Sequence, residues 1–352
     1  MAVFDQGLSR ARGRSWRRRS GKLLGSRWTL LAILALVAVA VVIGADVKDI
    51  SGVRMLGLVV RGVMLGGILS LGAVGITLIY GVLKMSNFAH GDFMTLGAYL
   101  GFVIVGILPH GPRVAGLSFG YEFLVALVIV MPLMGLITYG LDRITFRRLR
   151  ARRSPPIMMA MAALGLAFGV RSVIYMLFGA DFTFFYTGQI RPSMELFADI
   201  RIRTDQLFIL GLAIALIVLM YLLLERTKIG KAMRATADNL DLARISGIDT
   251  ERVVLWTWLI GGALAGAGGM LYGLDVQLRP EMGWWLLLPL FASVILGSIG
   301  NVYGALVGAF TIGIVWQVSG AFMNPAYGPG AAFLVMILVL LIRPEGLLGR
   351  RS

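Results

Sequence analysis

The chain has 352 residues, of which 58% are apolar and only 14% charged, well below the roughly one in four expected of a water-soluble domain. Its net charge of +15 sits in short blocks between apolar runs, which argues against nucleic acid as a partner, and the absence of cysteine excludes disulfides and thiol chemistry. The 46 glycines would weaken soluble helices but suit helices that approach one another closely in a bilayer.

In chain order, residues 1–27 form a basic cytoplasmic N-terminal segment carrying Arg10, Arg12, Arg14, Arg17, Arg18, Arg19, Lys22 and Arg27. The first apolar run, Trp28 to Ala45, exceeds a signal-peptide core of about 7 to 15 residues and is read as a retained helix. Nine further runs are expected to span: Leu58 to Leu83, Phe93 to Leu108, Phe123 to Gly140, Ile157 to Phe178, Leu207 to Leu224, Val253 to Val276, Trp285 to Ile299, Tyr303 to Phe322 and Ala331 to Ile342. The longer of these runs are continuous over about 18 to 25 residues, unlike the alternating strands of about 10 residues in a barrel. The fold class is therefore an all-α membrane protein of about ten transmembrane helices, its transmembrane domain running from residue 28 to 343 and its cytoplasmic C-terminal tail from 344 to 352.

Lys and Arg accumulate in loops that stay in the cytoplasm. Blocks at Arg143 to Arg153, at Arg226 to Arg252 and at Arg343 to Arg351 fall on the same side as the N-terminal block if there are ten spans with both termini inside. The long external loop, with Tyr186, Arg191, Glu195 and Asp199, fits either docking of an external partner or simple solvation.

Two interrupted stretches suggest an inverted internal repeat. Gly72-Ala-Val-Gly75 precedes Asn87-Phe-Ala-His-Gly91, and Gly266-Ala-Gly-Gly269 precedes Arg279-Pro-Glu-Met-Gly283, each followed by a short apolar run. By the charge argument the two units cross in opposite directions, and breaks lying inside the membrane would turn half-helix N-termini towards a cavity. Asn87, His90, Gly91, Asp92, Glu281 and Gly283 are the candidate path residues. Asn87, His90 and Asp92 either hydrogen-bond the charged groups of a solute in passage or cap the half-helix, and capping is the expectation. Arg171, inside a span, requires a partner that the sequence does not name. Trp284 and Trp285 read as interfacial belt residues.

The cytoplasmic loop 225–252 is too polar to span and too helical to be a linker. A short amphipathic helix is expected over Lys231 to Arg244, stopped at Gly247. No GxxxxGK[ST] loop or other nucleotide site occurs, and no metal or catalytic constellation, so the chain is expected to be non-enzymatic, without cofactors of its own.

Asn87-Phe-Ala-His-Gly-Asp92, Gly230-Lys-Ala-Met-Arg-Ala235, Ala243-Arg-Ile-Ser-Gly247, Phe291-Ala-Ser-Val-Ile-Leu-Gly-Ser-Ile-Gly300 and Ile342-Arg-Pro-Glu-Gly-Leu347 occur in order. Together they resemble the LivH-type permease subunits of branched-chain and neutral amino-acid ABC importers, most closely the cyanobacterial-type neutral amino-acid permeases, from about Leu58 to Leu348. The resemblance implies a binding-protein-dependent importer in the bacterial cytoplasmic (inner) membrane. It also implies a second, homologous LivM-like permease, two cytoplasmic ATPases that bind the ATP, and an external solute-binding protein. It makes the 225–252 element the ATPase-coupling helix, with Lys231, Arg234, Asp238 and Asp241 as charged contacts and Gly230, Ala235 and Gly247 permitting close approach and turns. Permeases for urea and short amides look similar enough to compete. From another class, a proton-coupled secondary transporter would use His90 and Asp92 as relay groups. The basic N-terminal extension departs from many relatives.

Overall fold

The computed structural model describes residues 51–349 except 110, 115, 187–191 and 196–200. The expected first span, Trp28 to Ala45, and the N-terminal basic block lie outside the described residues. The described chain is a multi-pass helical membrane protein.

Helix α1 (Gly52–Leu83) is followed by α2 (His90–Ile107) and α3 (Tyr121–Leu141), which continues through a π-helical turn, Asp142–Phe146, into a last turn, Arg147–Ala151. Then come α4 (Pro156–Phe178), a two-stranded antiparallel ribbon of β1 (Ser193–Glu195) and β2 (Arg201–Arg203), and α5 (Thr204–Arg226). Two short helices, α6 (Lys228–Asp238) and α7 (Leu240–Ile245), lead to α8 (Thr250–Asp275), α9 (Met282–Gly297), α10 (Val302–Ser319) and α11 (Gly328–Ile342). Among the described residues, eight helical segments are long and apolar enough to cross a bilayer, the last being α11 together with the 3-10 turn Pro325–Tyr327 before it, whereas α9, at 16 residues, is too short by that measure. A helix of that length covers about 24 Å, less than a hydrocarbon core of about 30 Å. The run Trp285 to Ile299, expected as a span, thus coincides with a helix that does not cross alone.

The centre of the bundle is α1, which is apolar all round and buried on nearly every face from Met64 to Leu83. It packs against α5, α8, α9 and, most extensively, α10, while α8 packs on α3 and α2. Partners are exchanged between the two halves: α1 lies on α10, and α8 lies on α3. Helices α4 and α11 are peripheral, and the exposed apolar side chains of α4, among them Met161, Met176 and Leu177, face outward as lipid-facing residues do.

Contacts at the helix ends gather the basic loops at one end of the bundle. Arg147 pairs with Glu251 at 3.3 Å, joining the end of α3 to the start of α8. The Lys84 Nζ donates to the Ala237 carbonyl at 2.7 Å, and the Tyr303 hydroxyl donates to Glu225 at 2.8 Å. At the opposite, loop end, Arg203 pairs with Asp275 at 2.5 Å, and the Tyr186 hydroxyl donates to Glu122 at 3.0 Å. Burial, and then the Glu122 carboxylate, push the Tyr186 phenol above its ordinary range, which keeps this tether protonated.

Helices α2 and α9 both begin within the bundle. The backbones of Gly91 and Gly283 touch so closely that a Cβ on either would overlap the other's carbonyl. The Thr95 hydroxyl accepts from the Gly283 N–H at 2.9 Å, satisfying one of the donors freed where α9 starts. Gly283→Ala is therefore expected to cost about 1–3 kcal/mol through overpacking and to lower the melting temperature in detergent. Gly140→Ala, where a Cβ meets nothing within 4 Å, should leave it unchanged.

Candidate functional site

The first cluster lies where α2, α4 and α9 meet. Asn87 is buried in the extended stretch before α2, and its Oδ1 accepts from the Ala89 N–H at 3.1 Å, as a local turn cap does. His90 opens α2 fully buried, its ring filling the space beside Gly75 of α1, where a Cβ would leave it no room. Asp92, in the first turn of α2, is also fully buried. Instead of capping, it forms a bidentate pair with Arg171 of α4, Nε to Oδ1 at 2.8 Å and Nη2 to Oδ2 at 2.9 Å. The guanidinium in turn lies over Trp284, 4.8 Å from the ring centroid, and near Phe168 at 5.3 Å. Trp284 is thus held in a contact with a cation.

Glu281 directly precedes α9, and its carboxylate accepts from the Tyr175 hydroxyl at 2.5 Å. Tyr175 is one turn beyond Arg171 on α4, so both reach the same cluster. The Tyr99 side chain is 1% exposed, packs at a tilt against Phe178 with ring centroids 4.6 Å apart, and has no hydrogen-bond partner for its hydroxyl among the described residues.

Of the six path residues expected from sequence, Asn87, His90, Gly91, Asp92 and Gly283 are buried within the chain, and Glu281 alone reaches partly to the surface. The structure adds Arg171, Tyr175 and Tyr99. One signal was available for the first: an arginine in an apolar helix needs an opposite charge at its own depth, and Asp92 is the carboxylate in the nearer break. The two tyrosines gave none, since they lie on helices far apart in sequence.

The second cluster is at the basic end. The expected single helix over Lys231 to Arg244 is two helices, because Asn239 leaves helical geometry and caps α7, its Oδ1 accepting from the Leu242 N–H at 3.0 Å. Thr227 caps α6 in the same way through the Gly230 N–H at 3.0 Å. Gly230 sits against the carbonyls of Leu223 and Leu224, with no room for a Cβ. Met233 and Thr236 turn inward, whereas Lys231 and Asp238 are exposed and Ala235 is half-buried. Arg234 pairs with Glu225 of α5, which also accepts from Tyr303 of α10. That hydrogen bond raises the Arg234 guanidinium above its ordinary value, so the link stays charged at any physiological pH. Gly247 ends α7 with φ of 83°, the left-handed position expected of a helix stop, and the Ile248 N–H closes back on the Ala243 carbonyl at 3.0 Å. On α7, Asp241 is exposed and so are Leu242 and Ile245, the last at 84%.

Removing one partner of the pair at Asp92 leaves a buried charge uncompensated, typically at a cost of about 3–5 kcal/mol. Arg171→Ala is expected to lower the yield and melting temperature of the folded protein sharply. The double variant Arg171→Ala with Asp92→Ala should recover part of that loss, as a double-mutant cycle on melting temperature would read out.

A family described as the branched-chain amino acid transport system permease component matches residues 58–342. The high-affinity branched-chain amino acid transport system permease protein LivH of Salmonella typhimurium is 30% identical over 298 residues, covering 82% of this chain and 94% of that protein. LivH of Escherichia coli K12 is 30% identical over 296 residues with the same coverage. The probable branched-chain amino acid transport permease protein LivH of Methanocaldococcus jannaschii is 29% identical over 301 residues, covering 82% of this chain and 90% of that protein. Among solved structures, PsaBC from Streptococcus pneumoniae in complex with Fab shares 14% identity at a TM-score of 0.44, covering 86% of this chain and 96% of that chain, too remote to inform the path.

Proposed function

This chain belongs to the family of branched-chain amino acid transport system permease components, and from that premise we propose that it is the membrane-spanning permease subunit of a binding-protein-dependent ABC importer for branched-chain or neutral amino acids. The observation that carries the reading is the family match, which extends over nearly the whole described bundle. The relatives named above are permeases for branched-chain amino acids, which favours that solute class over urea or short amides. The commitment of Asp92 to a bidentate pair with Arg171 speaks against its use as a proton relay.

In this reading the chain carries out no chemistry itself. Two cytoplasmic ATPases supply the energy, an external binding protein delivers and selects the solute, and a second, LivM-like permease completes the path. The protein sits in the cytoplasmic membrane with its basic end and both termini inside, and the basic blocks support ten spans. The exchanged packing of α1 on α10 and α3 on α8, with α2 and α9 meeting at their starts, supports reading the two halves as an inverted repeat.

The ATPase contact is assigned to the α6–α7 segment, with the work divided between the two helices. Helix α6 is a strut: Gly230, Met233 and Thr236 seat it on the bundle, Arg234 ties it to α5 and, through Glu225, to α10, and Lys84 ties it to the end of α1. Helix α7 projects Leu242 and Ile245 with no apolar cover, as anchor residues for a partner are presented. Lys231, Asp238 and Asp241 form the charged rim around them. Displacement of α7 is passed through α6 to Lys84, and so to the connecting stretch from Met85 to Ala89 that leads into α2.

The test is leucine uptake and ATP hydrolysis by the complete transporter in proteoliposomes. Leu242→Asp and Ile245→Asp should each reduce coupled uptake about tenfold or more, the loss of one large apolar anchor, while the chain inserts normally. Arg234→Ala should reduce uptake by loosening the strut. Normal coupled uptake in both α7 variants would overturn the assignment of α7.

A further inference from the structure

We propose that Glu281, Tyr175 and the free edge of Arg171 form a contact site for a zwitterionic α-amino acid where α4 meets the start of α9; the proposal rests on the transport reading above. Its physical basis is a charge imbalance. Asp92 and Arg171 neutralise one another in a bidentate pair, which leaves the Glu281 carboxylate as an additional negative charge in the same cluster. Among the described residues, the hydrogen bond to that carboxylate comes from a neutral phenol, Tyr175, at 2.5 Å. A carboxylate beside apolar surface, with spare acceptor capacity, favours a cation. The primary ammonium of an amino acid meets that demand with three donors.

The other end of the same solute is also provided for. Arg171 spends Nε and Nη2 on Asp92, and a guanidinium has five N–H donors, so Nη1 retains donors for a second carboxylate. Its side chain is 12% exposed, which leaves an edge within reach. The Tyr99 hydroxyl of α2 is buried without a hydrogen-bond partner among the described residues.

Depth and surroundings agree with a transfer step. Arg171 is seven residues from the end of α4, about 10 Å along the helix axis, so the cluster lies in the half of the bundle nearer the loop end. Trp284 and Phe168 are both partly exposed beside it and offer apolar faces for an aliphatic side chain. A neutral amide such as urea has neither charge and gains little from this arrangement.

The closing experiment uses the complete transporter in proteoliposomes with saturating leucine-loaded binding protein, reading leucine uptake and ATP hydrolysis together. Glu281→Gln is expected to lower uptake about tenfold or more, the consequence of losing a charge-assisted hydrogen bond, while ATP hydrolysis stays stimulated by the loaded binding protein. Tyr175→Phe should lower uptake several-fold with the same uncoupling, and Glu281→Asp should recover part of the loss. Should Glu281→Gln fail to assemble, Tyr175→Phe, which removes one exposed hydroxyl, decides alone. Wild-type leucine uptake in both Glu281→Gln and Tyr175→Phe overturns the site and leaves the transport reading standing. A wild-type complex that imports urea and no amino acid overturns both.

Discussion

A packed bundle offers no water to a helix that starts inside it, and the rest of this one is arranged around two that do. Each such start leaves backbone N–H groups with no partner in its own helix, at a cost of several kcal/mol for each one left unsatisfied in hydrocarbon. The chain meets that constraint by bringing the two starts together. Gly91 and Gly283 let the backbones touch, Thr95 accepts from the Gly283 N–H, and Asn87 folds back on the Ala89 N–H. Helices α1 and α8 then close around the junction, which is why their middle turns are buried on almost every side.

The electrostatics follow from the same geometry. The positive end of a helix favours a carboxylate nearby, and Asp92 occupies that place in α2. Burial then demands a cation for Asp92, which Arg171 supplies from α4, the peripheral helix that packs mainly on α2. Arg171 is itself steadied by the faces of Trp284 and Phe168. One break in one helix thereby fixes the position of a second helix and the orientation of two aromatic rings. Glu281 stands outside that closed circuit and is bonded instead by the Tyr175 hydroxyl.

Much of this was legible in the sequence. Long apolar runs and clustered arginines set the class and the alternation of helix directions, because both depend on composition over about twenty residues and not on any single contact. The two breaks were legible from Asn87 to Gly91 and from Arg279 to Gly283, and so was the stop at Gly247, where a positive φ requires glycine. What escaped was pairing across distance. Nothing local to Asp92 reveals that Arg171, 79 positions away, satisfies it, so a cap was the natural expectation, and only the need of Arg171 for an opposite charge at its own depth pointed to the pair. The split of the 225–252 helix at Asn239 was hidden for another reason: alanines and long side chains on both sides favour helix, and the asparagine acts through a side-chain bond to Leu242 that competes with it. Arg234 looked like a surface contact because its partners, Glu225 and, through it, Tyr303, sit at the ends of two other helices.

The Lys84 bond to α6 has a consequence for how such a complex changes over time. The lysine holds the main-chain carbonyl of residue 237 and not a side chain. Any amino acid at 237 that keeps the helix leaves that carbonyl in place, so the exposed face of α6 is free to vary while the mechanical link to α1 is preserved. Lys84 has no such latitude: it stands in a left-handed turn, with φ of 52°, and must span the gap with a full-length cationic chain. The drift tolerated on one side of this joint and the constancy required on the other are built into the choice of backbone over side chain as the point of attachment.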